Sequence, residues 1–200
     1  MAGPPDDRAD DAEDALAALR GEIDALDDAL HDLVMRRAEV VARLAASRVK
    51  AGAASPLRPG REAAILRRLL ARHSGPLPPD ALVRLWREIL FASSAMQGGF
   101  AVAVPAGDAA LAEAARTHFG TTATLHRPPG AGAALAALAA GGAQAAVLPL
   151  PAPEGEGAWW TALDSPDLQV AARLPFYAAD PAAPRAMLVL RGEPDRSSYC

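Results

Sequence analysis

From Leu16 onward apolar residues recur at steps of three and four: Leu16, Leu19, Ile23, Leu26, Leu30, Leu33, Val34, Val40, Val41 and Leu44. No proline and a single glycine interrupt the run, so the spacing predicts one amphipathic helix from about Asp10 to Arg48. Asp10, Asp11, Glu13 and Asp14 fall in its first turns, where the positive end of the helix dipole favours carboxylates. Such a helix extends roughly 55–60 Å, about twice the diameter of a small domain. Its stripe needs a partner along much of that length.

Residues 49–59 hold Gly52, Ser55, Pro56 and Pro59 and read as a loop. A second helix begins near Gly60 with the stripe Ala63, Ile65, Leu66, Leu69, Leu70 and stops at His73, Ser74, Gly75 and Pro76. A third follows Pro78, Pro79 and Asp80, is expected to bury Leu82, Leu85, Trp86, Ile89, Leu90 and Ala95, and ends at Gly98 and Gly99. After Gly99 the pattern changes to short β-type runs between alanine-rich helices. Strands are predicted at 100–104, 121–126 and 144–150, helices at 109–119 and 131–140, and further strands at 168–174 and 186–190. The βαβαβ order implies a small parallel or mixed sheet. The expected organisation is an acidic tail over 1–9, an all-helical unit over 10–98, an α/β unit over 99–192 and a tail over 193–200. Trp86 and the Trp159–Trp160 pair read as core.

Composition narrows the function. A formal charge of −4 argues against a general nucleic-acid binder, which needs clustered positive charge to displace phosphate counterions. Of the 20 basic residues only Lys50 is a lysine, so an arginine here signals little by its identity and must be judged by its position. The single cysteine, Cys200, offers neither a disulfide nor a thiolate metal site. Nothing reads as a signal sequence or a membrane span, and the expectation is a soluble cytoplasmic protein.

On the long helix Arg37 and Arg48 are eleven residues apart, close to three full turns, which puts them on one face about 16 Å apart along the axis. Two extended guanidinium groups at that spacing reach one small ligand. Arg20 lies roughly 25 Å before Arg37 and cannot reach that ligand within its own chain. In an antiparallel two-fold dimer it would be carried toward the middle of the partner's helix, giving two equal sites, each completed in trans. Ser93 and Gln97 are four apart on the third helix and share a face. Arg58, Arg61 and Glu62 stand where the loop enters the second helix. Several cations with few carboxylates imply an anionic ligand. The sequence has no Ser-His-Asp order, no metal-spaced His/Cys set and no phosphate-cradling glycine loop, so any chemistry should need only orientation and charge.

The runs Leu16–Arg20 (LAALR) and Ile23–Asp27 (IDALD), the Met35–Arg37 step, Arg61–Glu62 and Ser93–Gln97 (SSAMQ) together resemble the all-helical chorismate mutase family over residues 12–97. The resemblance implies an intertwined homodimer that converts chorismate to prephenate by a Claisen rearrangement, with no cofactor, no metal and no covalent intermediate. It implies that Arg37 and, from the partner chain, Arg20 clamp the two substrate carboxylates, with Arg58 and Arg61 beside them. Glu62 would accept from the substrate hydroxyl and Ser93 would bind near a carboxylate. Arg48 and Gln97 would donate to the ether oxygen, which gains negative charge as its C–O bond breaks. Two positions depart from the family pattern: Arg48 stands where a lysine is usual, and Arg58 where an aspartate can occur.

The stretch Ala137–Pro149 and the His118–Phe119–Gly120 triplet resemble parts of prephenate dehydratases, which are often fused to the mutase. The threonine-arginine-aspartate-phenylalanine signature of that family is missing, the nearest stretch being Ala171–Phe176 (AARLPF). The α/β unit therefore reads as a catalytically silent relative. The alternatives to a monofunctional mutase are a bifunctional mutase/dehydratase and a non-catalytic helical dimerisation or ligand-sensing module.

Overall fold

A computed structural model describes residues 7–50, 57–151, 158–163, 167–175 and 185–192, with side chains from 11 to 47 in the first helix. The chain divides into two compact units at Ser47/Arg48. Packing thus places the second and third helices with the sheet, whereas the sequence boundary between helical and α/β parts lies at 98/99.

The described part of the first unit is one helix, α1, Asp7–Lys50, whose last three residues fall past the division. It starts three residues before the predicted Asp10, so the backbone of 7–9 is helical rather than tail; Asp7 extends the acidic run that suits a helix N-terminus. The expected tail at 193–200 and most of the loop at 151–157 lie outside the described residues. None of the described side chains of α1 is buried. The predicted stripe is present but uncovered, from Leu16 at 52% exposed to Leu33 at 64%.

In the second unit α2 is Pro59–Ala71 and α3 is Pro79–Ala95. Each has proline in its first turn, where the missing N–H has no intrahelical partner to lose. Helix α3 carries two faces. Of the expected core Leu90 is buried, but Leu85 is 57% exposed, Ala95 is exposed, and Leu82, Trp86 and Ile89 are half-buried. The other buried residues of α3 are Arg87, Phe91 and Ser94. The cause is aromatic: Phe91 meets Phe100 edge-on with centroids at 5.3 Å and Phe119 at 6.2 Å, turning this face of α3 to the α/β layer.

That layer contains β1 (Ala101–Ala103), α4 (Ala109–Phe119), β2 (Thr124–His126), α5 (Ala131–Ala139), β3 (Ala145–Pro149), a 3-10 turn at Trp159–Ala162, β4 (Leu168–Leu174) and β5 (Ala186–Arg191). The five strands run β2-β1-β3-β5-β4, making the sheet mixed. β1 pairs in parallel with β2 and β3, joined through the helical crossovers α4 and α5. β5 is antiparallel to β3, with Val147 opposite Leu188, and to β4, where the register shifts between Val170 and Ala172.

Alternation divides the core between the two faces of the sheet. Val102, Val104, Ala145 and Val147 pack with Leu111, Ala115 and Phe119 of α4 and with Phe91. Ala103, Ala146 and Leu148 pack with Leu135 and Leu138 of α5 and with Trp159. Trp159 is buried and its indole N–H donates to the Pro149 carbonyl at 3.1 Å; Trp160 is half-buried, edge-on to it. Gly120 ends α4 at φ +89°, and a Cβ there would run into the Glu88 carboxylate of α3. The same carboxylate accepts the Thr121 backbone N–H at 2.9 Å, fastening α3 to the end of α4.

Candidate active site

Within the second unit the most constrained candidate is Glu62. Its place in the first turn of α2 is set by Pro59, which starts the helix one position past Arg58, and the Glu62 N–H closes the first turn on the Arg58 carbonyl at 2.9 Å. The carboxylate faces α3, where its Oε2 accepts from Nη1 of Arg87 at 3.2 Å. Burial pushes the Glu62 pKa up from the ordinary carboxylate range, and the Arg87 charge pulls it part of the way back. Burial likewise lowers Arg87 to about 10, against the opposing pull of Glu62. His118 of α4 lies deep in the same region, its pKa held well below the usual imidazole value by burial first and by the Arg87 charge second.

Ser93 and Gln97 share the half-buried side of α3 with Leu82, Trp86 and Ile89, beside the face that packs on the sheet. The Ser93 hydroxyl donates to the Ile89 carbonyl at 2.6 Å, the local back-bond open to a helical serine. Gln97 Nε2 donates to the Ser93 carbonyl at 2.9 Å. The two form one hydrogen-bonded ladder at the end of α3. Arg58 and Arg61 are exposed at the start of α2.

On α1 Arg20 is exposed and Arg37 half-buried. Arg48 lies in the helix, but its side chain falls outside the described residues. Helix geometry holds Arg20 and Arg37 about 25 Å apart. Arg20 and Arg37 belong to the first unit, and Glu62, Ser93 and Gln97 to the second, so neither unit by itself contains the whole set. Among the described residues no group of His, Cys, Asp and Glu is placed to hold a metal ion, and no helix is long and apolar enough to cross a membrane.

Sequence reasoning missed Arg87 and His118. The available signal was positional: Arg87 precedes Leu90 and Phe91 by three and four residues, so it lies on their apolar face.

Residues 19–98 match the family described as chorismate mutase type II. This segment is a chorismate mutase domain. The match ends at Gly98, close to the predicted 97/98 limit and well inside the second compact unit, so the mutase domain spans the division at Ser47/Arg48. The chain is similar to the bifunctional chorismate mutase/prephenate dehydratase of Stutzerimonas stutzeri, 37% identical over 112 residues, covering 54% of this chain and 31% of that protein. It is also similar to that of Pseudomonas aeruginosa, 35% identical over 113 residues with the same coverage. The chain thus spans about a third of the length of the curated relatives it matches. No solved structure matches it.

Proposed function

We propose that this protein is a chorismate mutase that rearranges chorismate to prephenate as a homodimer, without a cofactor. The observation that carries the reading is the chorismate mutase type II match over residues 19–98, within which lie all eight candidate site residues. Arg37 and Arg20 of the partner subunit hold the two carboxylates, with Arg58 and Arg61 lending positive charge and Ser93 a hydroxyl. The clamps bring the enolpyruvyl arm over the ring, so that a unimolecular rearrangement starts from a near-reactive conformer. Glu62 accepts from the substrate hydroxyl.

Arg48 and Gln97 donate to the ether oxygen, a bond that strengthens as the C–O bond breaks and charge builds on the oxygen. Gln97 exchanges its bond to the Ser93 carbonyl for the substrate, a swap of one hydrogen bond for a better one. Arginine in place of the usual lysine at 48 supplies the same donor from a broader, planar group, which changes the rate more than the reaction.

The dimer reading is supported by α1. Its leucines between Leu16 and Leu33 are more than half exposed, and covering each is worth about 1.5–3 kcal/mol. A two-fold antiparallel pairing covers that stripe and delivers Arg20 to the partner at once. A cytoplasmic location fits a biosynthetic enzyme acting on a soluble anion. The α/β unit is read as a dehydratase relative without the catalytic signature, which makes the bifunctional alternative the weaker one.

The test is turnover. Purified protein should consume chorismate with loss of its ultraviolet absorbance and accumulate prephenate, and Arg37→Ala should slow this by about 10²–10³-fold. Phenylpyruvate formed at neutral pH would favour the bifunctional reading. A dimer that leaves chorismate untouched would favour a non-catalytic module.

A further inference from the structure

Arg87 is buried to 4% exposure, and nothing in the family resemblance assigns it a role. It sits on the α3 face shared with Leu90, Phe91 and Ser94, the face held against the α/β layer. A guanidinium is costly to bury unless a partner uses its charge, and here the partner is a candidate substrate ligand. Arg87 binds one oxygen of Glu62, Oε2; among the described residues Oε1 accepts no hydrogen bond.

Resting on the mutase reading above, we propose that Arg87 is a positioning residue for the reaction: it fixes the Glu62 carboxylate by occupying Oε2 and so presents Oε1 to the substrate hydroxyl.

Among the described residues of the second unit, Arg87 is the cation that reaches the Glu62 carboxylate. The charged and titratable groups of the elements packed around Glu62 are few. From α3 come Arg87 and Glu88, and Glu88 is engaged with the Thr121 backbone N–H. From α4 comes His118, which burial and the Arg87 charge keep neutral. On α2 itself Arg58, Arg61, Arg67 and Arg68 are exposed. Without Arg87 the carboxyl keeps its burial and loses its compensating cation, so it is neutral to higher pH. A neutral carboxyl offers a weaker acceptor and turns a donor toward a substrate donor. The α/β unit contributes through packing, because Phe100 and Phe119 hold the Arg87 face of α3 away from water.

The experiment is a set of pH profiles for chorismate turnover between pH 5.5 and 9 on the full chain: wild type, Arg87→Met, Arg87→Lys, Glu62→Gln and the Glu62→Gln/Arg87→Met double variant. The expected result for Arg87→Met is a loss of about tenfold or more in kcat/KM at pH 6 that shrinks toward pH 9, as the lone carboxyl ionises. Arg87→Lys should recover most of that loss. Glu62→Gln should be impaired equally at every pH, and the double variant no further impaired than Glu62→Gln, because Arg87 acts only through Glu62.

An Arg87→Met profile parallel to wild type, or losses that multiply in the double variant, would overturn the role while leaving the mutase reading intact. If Arg87→Met does not fold, the double variant decides, since it leaves no unpaired buried charge: activity equal to Glu62→Gln supports the role, and a further tenfold loss overturns it. A wild type that does not consume chorismate overturns the mutase reading and this role with it.

Discussion

Helix α1 and the unit that follows it solve the burial problem in opposite ways. Helix α1 carries a stripe of leucines with none of its described residues buried. The second unit, with fewer residues per helix, covers both faces of a five-stranded sheet and even encloses an ion pair. The difference teaches where each part gets its stability. A helix of this length exposes more apolar surface than it satisfies alone, so under the proposed dimer its energetics belong to the assembly, whereas α2, α3 and the sheet form a core within one chain.

The sharpest way to break that comparison is to make the stripe polar. In Leu26→Glu/Leu30→Glu two leucines worth about 1.5–3 kcal/mol each on burial become charges, with helix propensity preserved. Sedimentation should then report monomers, and chorismate turnover should vanish. A dimer that survives would place the interface elsewhere than on α1.

The converse change strikes the second unit. Phe119→Ala removes a ring that packs on both Phe91 and Phe100, and should cost about 3–5 kcal/mol in urea unfolding. A cost under about 1 kcal/mol would mean that α3 and the sheet are not one cooperative core.

The proposed trans placement of Arg20 sharpens the contrast further, because it would make the exposed helix functional as well as adhesive. Arg20→Ala and Arg37→Ala should each lower kcat/KM by about 10²–10³-fold. Mixed and allowed to exchange, the two variants should regain about a quarter of wild-type activity, since half the dimers are then hybrids with one intact site. Verified exchange without recovery would count against a shared site.

Much of this was legible from periodicity alone. The stripe from Leu16 to Leu44 announced α1, the prolines at 56, 59, 78 and 79 bounded α2 and α3, and the later strands fell within their predicted runs except β5, which extends past 190 to Arg191. The order β2-β1-β3-β5-β4 was not legible, because strand neighbours are chosen by contacts distant in sequence. Helix α3 misled for a related reason. It has two apolar faces, and the longer one, with Leu82, Leu85, Trp86 and Ile89, is the less buried; the choice was made by Phe100 and Phe119, which lie outside the helix. In a chain whose cations are nearly all arginine, nothing in the identity of Arg87 set it apart from the other arginines. The four-residue spacing of Ser93 and Gln97 did place the Gln97 amide within reach of the Ser93 carbonyl one turn back.

The smallest effect concerns His118, where the second unit hides a titratable group that α1 has no means to bury. The folded pKa of His118 lies well below its ordinary 6.5, so between those two values the unfolded chain binds a proton that the folded chain refuses. Stability from this group is therefore complete above pH 6.5 and is lost as pH falls toward the folded value, at no more than about 1.4 kcal/mol per pH unit. Glu62 works against it: its raised pKa means the folded chain holds the extra proton, so its contribution is complete below the ordinary carboxylate value and is lost as pH rises. The net slope of the wild type mixes the two, and the comparison that isolates His118 is with His118→Gln. Urea unfolding at pH 7.5, 6.5 and 5.5 should show the wild type losing stability relative to the variant mainly on the step from 6.5 to 5.5. Curves that stay parallel would mean that His118 keeps its proton in the fold, and that the enclosure which separates this unit from α1 admits water at Arg87.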